Sequence, residues 1–150
     1  MSSFSDTRSP RPFDVEAFLE RPLVARAATV DSAGAPGVRP VWFLWEQNAL
    51  WWLTGSYSVV AKHLERDART SVVVDTCDLE RMEFLQVTMH GKAEVAPFDQ
   101  VLARRLLRRY LGDDEEVWHP DFRHYADDGR LVRFTPDRTV VKDLSKNGQM

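Results

Sequence analysis

The stretch from Arg39 to Leu64 constrains this chain most. It holds four of the five tryptophans, and two of its segments, Val41 to Trp45 and Leu50 to Leu53, are unbroken apolar runs. A strand with one wet face alternates apolar and polar residues; a strand covered on both faces need not. The stretch therefore reads as two strands, a tight turn at Gln47-Asn48 and the start of a helix, with one face in the core and the other covered by something else. A chain of 150 residues does not easily supply a further layer, so the expected cover is a bound ring system or a second subunit. Pro40 removes a ladder donor from the first of these strands, which points to an edge, a bulge or a ligand-facing backbone.

Charge and cysteine content exclude several classes of function. A net charge of −3 and a pI near 5.8 run against nucleic-acid binding, which usually needs a basic balance or face. Cys77 is the single cysteine, so no internal disulfide forms and a reducing compartment is expected. No apolar run approaches the roughly 20 residues of a membrane helix, and the first residues lack a secretory pattern. The expectation is a cytoplasmic protein with no membrane and no nucleic-acid partner.

In chain order, residues 1–12 read as a flexible N-terminal arm, and residues 13–150 as one domain. Asp14 caps a short helix, Val15 to Arg21, ended by Pro22. Leu23 to Val30 is a strand, Asp31 to Pro36 is turn chemistry, and Gly37 to Glu46 returns antiparallel. Ala49 to Thr54 is the third strand. Gly55 ends it, and Ser58 caps a helix running to about Asp67. Thr70 to Asp75 and Phe84 to Val95 are strands, the second with a bend or bulge at Gly91. Residues 98–111 form an amphipathic helix with Leu102, Leu106 and Tyr110 on one stripe and Arg104, Arg105, Arg108 and Arg109 opposite. Asp113 to Gly129 reads as a long connection. A final hairpin is expected from Arg130 to Phe134 and Thr139 to Asp143, turning at Pro136-Asp137. Six or seven mostly antiparallel strands with few helices make a small barrel-like α+β domain, and closure removes exposed edges.

Three segments in this order resemble the pyridoxamine 5'-phosphate oxidase-like family of flavin and deazaflavin proteins. Arg39-Pro-Val-Trp-Phe-Leu44 is similar to the family's Arg-x-Val-Leu-Leu-Lys. Leu53-Thr54 with Ser58 and Ala61-Lys62-His63-Leu64 is similar to Tyr-Thr-Asn-x-x-Ser-Arg-Lys-Ala-x-x-Leu. Gln86-Val-Thr-Met-His-Gly-Lys-Ala-Glu94 is similar to Gln-Val-x-x-x-Gly-x-x-Glu. The resemblance spans about residues 14 to 143. It implies a split β-barrel, mainly antiparallel, with a few short flanking helices, and a homodimer holding FMN or a deazaflavin cofactor. The residues it assigns to the cofactor are Arg39, Pro40, Val41, Trp42, Leu53, Thr54, Ser58, Lys62 and Gln86. The departures matter as much. The family's phosphate-binding Arg-Lys pair falls on Val59 and Val60, and the final segment lacks the Arg-x-His used on the pyridoxal ring. The resemblance therefore implies an oxidoreductase that is not a pyridoxamine phosphate oxidase, acting on an unidentified small molecule and closer to the branch with deazaflavin-dependent reductases. Restoring both cations at Val59 and Val60 is expected to tighten FMN.

Each candidate also has a plain structural reading. Arg39 can meet a cofactor phosphate or ring carbonyl, or can be a surface arginine. Thr54, Gly55, Ser56 and Ser58 can form an anion site at a helix start, or cap that helix and nothing else. Lys62 can reach the same anion or be solvated, and Gln86 can read a flavin edge or sit on a strand edge. The tryptophans Trp42, Trp45, Trp51 and Trp52 serve as core and interface, with one left to stack on a ring. His119, Asp121 and His124 fit no metal-ligand spacing, and no side chain stands out as an obligate acid or base. The competing class is a non-catalytic module that binds a flavin or another planar ligand such as haem.

Overall fold

Gln47 and Asn48 both lie in the left-handed region, at φ of 57° and 58°. Two successive residues there make the tight turn whose twist matches a β-hairpin, and asparagine tolerates that region. The turn joins β2 (Pro36–Glu46) to β3 (Ala49–Gly55). Around it, the computed structural model describes residues 11–145, so most of the expected arm lies outside the described residues. The other elements are α1 (Val15–Leu19), β1 (Val24–Val30), α2 (Val60–Arg66), β4 (Arg69–Asp75), β5 (Leu85–Ala96), α3 (Gln100–Leu111), α4 (Pro120–Asp128) and β6 (Gly129–Asp143). The strands close into a six-stranded barrel in the order β1-β2-β3-β6-β5-β4, and each pairing is antiparallel. No helix among the described residues is long and apolar enough to cross a membrane.

The barrel interior is filled by alternate residues of the strands, among them Phe43, Trp52, Val72, Met89 and Phe134. Val60 and Leu64 of α2, with Phe18 and Leu19 of α1, join the same core. The outer face of the tryptophan-rich hairpin is covered too, by side chains from later in the same chain. Trp51, Ala49 and Leu131 pack with Leu102 of α3, while Leu44, Leu53 and Trp42 pack against Leu106, Leu107, Trp118 and Ala126. The chain itself supplies the second cover that the apolar runs require. The four arginines of α3 fasten that cover: Arg104 and Arg108 pair with Glu115, Arg105 with Glu46 at 2.6 Å, and Arg109 donates to the Arg21 carbonyl at 2.9 Å.

Two expectations need correction. The stretch after Gly112 is not a plain connection, because residues 120–128 form α4. Pro120 stands at its first turn, where the missing N–H costs nothing, and His119 Nδ1 accepts from the Asp121 N–H at 3.2 Å as its cap. The final segment is one long strand and no hairpin. Its first half pairs with β3 from Phe134 to Gly129, and its whole length pairs with β5 from Leu131 to Asp143. Pro136 and Asp137 form a bulge opposite His90 and Gly91, where the register shifts. The bend expected at Gly91 lies at that bulge.

Candidate functional site

The split in the barrel comes from how β2 and β3 part. They pair only from Phe43↔Trp52 to Glu46↔Ala49. Beyond that point β2 continues beside β1, from Trp42 to Pro36, while β3 continues beside β6, from Leu53 to Gly55. Pro40 lies on this half-paired stretch, where its missing N–H is harmless. A cavity of about 640 Å³ opens in the gap, within the range of small-molecule sites. Its walls are Arg39, Pro40, Val41 and Trp42 of β2, Trp52 to Gly55 of β3, Tyr57 to Val59, Leu106 and Leu107 of α3, and Phe122 and Tyr125 of α4.

Arg39 is the charge in this wall. It is half-buried, and burial pushes its pKa below the ordinary arginine value. Nη1 donates to Thr29 Oγ1 at 3.3 Å, and the guanidinium makes no ion pair among the described residues. A fork of five donors with one hydroxyl partner in a desolvated wall is suited to an anion or carbonyl. Thr54 and Ser58 bring hydroxyls to the same cavity. Ser58 Oγ accepts from the Val60 N–H at 3.3 Å, as a cap does. With α2 only seven residues long, its dipole contributes little, and Arg39 must carry most of any anion's stabilisation.

The floor is held by Tyr110. Its hydroxyl donates to the Leu23 carbonyl at 2.7 Å and accepts from the Phe43 N–H at 3.0 Å, where β2 begins to leave β3. Trp42 stacks nearly parallel on Tyr110, centroids 4.6 Å apart, and on Phe122 at 5.2 Å. The indole's stacking surface is therefore engaged within the chain. At the mouth, the Tyr57 and Tyr125 hydroxyls meet at 3.1 Å. That bond, more than burial, holds the Tyr125 pKa above its ordinary value.

Seven of the sequence-derived candidates meet in this cavity: Arg39, Pro40, Val41, Trp42, Leu53, Thr54 and Ser58. Lys62 is exposed on α2, and Gln86 lies on β5 between Asp75 and Lys142; neither lines it. Of the two valines in the place of the family's cations, Val59 is 59% exposed and in the wall, whereas Val60 is 4% exposed in the main core. Sequence reasoning missed Phe122 and Tyr125 because α4 read as a connection. It missed Tyr57, 81% exposed in the cavity wall, because an aromatic in a strand-to-helix turn carries no motif.

Comparison with known proteins places this arrangement among relatives. A family model described as pyridoxamine 5'-phosphate oxidase matches residues 14–142. No curated protein matches the chain by sequence. Among solved structures, the conserved hypothetical protein Rv2991 from Mycobacterium tuberculosis superposes with a TM-score of 0.77 at 21% identity, over 97% of this chain and 94% of that one. An F420 reductase superposes with a TM-score of 0.64 at 22% identity, over 88% and 98%. HutZ, the heme storage protein from Vibrio cholerae, gives 0.66 at 19% identity, over 85% and 92%. At these identities the likeness is one of fold.

Proposed function

The chain belongs to the pyridoxamine 5'-phosphate oxidase family, and from that premise we propose that it is a flavin- or deazaflavin-dependent oxidoreductase that does not oxidise pyridoxamine phosphate. The observation that carries this reading is Arg39, a half-buried guanidinium whose one partner among the described residues is a threonine hydroxyl, set in the wall of the cavity between β2 and β3. The residues fit a planar ring with an anionic tail. Arg39, Thr54 and Ser58 would hold the anion or a ring carbonyl, and Pro40, Val41, Trp42 and Leu53 would flank the ring. The bound cofactor supplies hydride transfer. The chain orients it, excludes water through Leu106, Leu107 and Phe122, and presents the paired hydroxyls of Tyr57 and Tyr125 at the mouth. An apolar Val59 where the family has a cation weighs against a tightly held cofactor phosphate.

The same valine favours a second reading, a non-catalytic module for a flavin or another planar ligand such as haem; one structural neighbour is a heme storage protein. The absorbance spectrum of the purified protein, with the extracted chromophore identified by mass, separates the readings. A flavin-type or deazaflavin band that is bleached by a reductant and returns on reoxidation keeps the oxidoreductase, and steady-state turnover then distinguishes it from a non-catalytic flavin module. A haem band, or a colourless protein that ignores added FMN and deazaflavin, overturns it. Pyridoxamine phosphate, supplied with FMN, should give no sustained oxygen uptake, because the Arg-x-His that would orient it is missing; steady turnover to pyridoxal phosphate would refute this.

The protein is further proposed to be a cytoplasmic homodimer. With the hairpin covered by α3 and α4, the support for dimerisation comes from elsewhere. Tyr57 and Val59, 81% and 59% exposed, line the cavity side by side. Clustered exposed apolar groups are usual at sites of association. Light scattering at micromolar concentration should give about twice 17.3 kDa. A monomer that stays monomeric with cofactor bound would defeat it.

A further inference from the structure

A second concave region, of about 630 Å³, lies by the β1–β2 turn and over the β5/β6 bulge, and Arg69, Ser71, His90, Lys92, Asp137 and Arg138 line it. The register there breaks a rule that the rest of the sheet follows. Arg69 is the direct cross-strand neighbour of Lys92, and in the adjacent row on the same face His90 is the neighbour of Arg138. The Arg69–Lys92 pair sets like charges directly opposite one another, which destabilises a sheet. Elsewhere on the same two strands the chain matches charges properly, with Glu94 opposite Arg133 and bonded to it. In the groove, Asp67 neutralises Arg69 at 2.6 Å, and Ser71 Oγ meets His90 Nδ1 at 2.8 Å. Lys92 and Arg138 make no ion pair among the described residues. Asp137 is the only carboxylate in the lining, so positive charge stays in excess on a chain whose net charge is −3.

The bulge belongs to the same feature. Asp137 is the extra residue of β6 between Pro136, opposite Gly91, and Arg138, opposite His90. A bulge bends its strand and re-aims the side chains beside it; here it sets Arg138 in the groove next to Lys92. Local rules broken together in one place, a like-charge cross-strand pair and a ladder defect, are what a binding site leaves in a sheet.

We propose that this groove is an anion site for a small phosphorylated molecule, with Lys92 and Arg138 as its charged ligands, Arg69 at its margin and His90 held toward it by Ser71. Phosphate oxygens suit the arginine fork and the lysine point charge, and a bound dianion turns the cross-strand repulsion into shared attraction. The site is separate from the cavity in the barrel split: Thr29 stands between them, accepting from Arg39 on one side and lining the groove on the other.

The test needs no cofactor, so its outcome does not depend on the flavin reading. Inorganic phosphate and pyrophosphate are titrated at constant ionic strength while backbone amide shifts are followed by NMR. Saturable shifts centred on residues 69–71, 90–92 and 137–138 are expected. The double variant Lys92→Ala with Arg138→Ala should weaken pyrophosphate by at least about tenfold, since two charge-assisted contacts are lost. In phosphate-free buffer it should melt no lower than the parent, because the opposed charges are gone. Arg39→Gln should leave the shifts at residues 69–71, 90–92 and 137–138 unchanged, whatever it does to shifts in the barrel cavity. Shifts spread over all surface cations, shifts in the groove that do not saturate, shifts confined to Arg39 and Ser58 with none in the groove, or an affinity indifferent to the double variant would each overturn the site.

Discussion

Replacing Gly91 by alanine should destabilise the protein by about 3 kcal/mol or more, the upper end for overpacking. A Cβ at that position would lie 2.1 Å from the Thr135 carbonyl oxygen, 2.8 Å from Pro136 Cα and 3.0 Å from the Asp137 N. All three are backbone atoms of the bulge, held by strand pairing on either side, so no flexible side chain can swing clear. For a domain of this size, with about 2–4 °C per kcal/mol, the melting temperature should fall by roughly 6–12 °C. Gly34→Ala is the control. Gly34 has φ of +81° and nothing within 4 Å of its would-be Cβ, so its cost is backbone strain alone, about 1 kcal/mol. Thermal and urea denaturation of the two variants should separate them clearly. Equal losses would mean that β6 does not approach β5 as closely as the register requires.

Val59→Arg should tighten FMN by about tenfold or more while leaving riboflavin nearly unchanged. One hydrogen bond to a charged group is worth about 1.5–3 kcal/mol, and 1.4 kcal/mol is a factor of ten. The phosphate is the one group that riboflavin lacks. The family's cation pair falls on Val59 and Val60, but only Val59 can be restored: Val60 is packed in the main core with Leu64 and Phe18. A lysine there would bury an unpaired ammonium at a cost of several kcal/mol. Arg39→Gln should act in the opposite sense, weakening FMN by about the same factor. Fluorescence titration of both variants with both ligands decides it. Equal gains for FMN and riboflavin, or none for FMN, would place the phosphate away from Val59.

What the sequence made legible follows from where each decision is made. The β2–β3 hairpin is decided locally, by two apolar runs and an asparagine at φ of 58°, and α3 by its stripe of Leu102, Leu106 and Leu107. Both read correctly. The Pro136-Asp137 pair was misread because a turn and a bulge use the same residue chemistry. The difference lies in Gly91, forty-odd positions earlier, which lets the strand run straight on. Helix α4 buries only Ala126 completely, too narrow a stripe to show as periodicity, although Pro120 was a usable start signal. The cavity was half legible. Its β2 and β3 residues sit in motifs, whereas Phe122 and Tyr125 reach it only through the packing of α4. The Tyr57–Tyr125 bond joins residues 68 positions apart, a distance no local pattern spans.

The placement of β6 also governs how the chain can be made. It follows the other five described strands in the order of synthesis, yet it fills the gap between β3 and β5. On the ribosome, the sheet β3-β2-β1-β4-β5 can assemble as it emerges, but it must wait with both borders unpaired until residues 129–143 arrive. Open borders of that kind template association with other chains, and closure between residues so distant in sequence is slow. One of those waiting borders, β3, carries Trp51 and Trp52. The nascent protein is therefore most prone to aggregation just before its last strand appears, and a chaperone that shields the tryptophan hairpin in that interval would raise the yield of folded protein more than one that acts on the finished barrel.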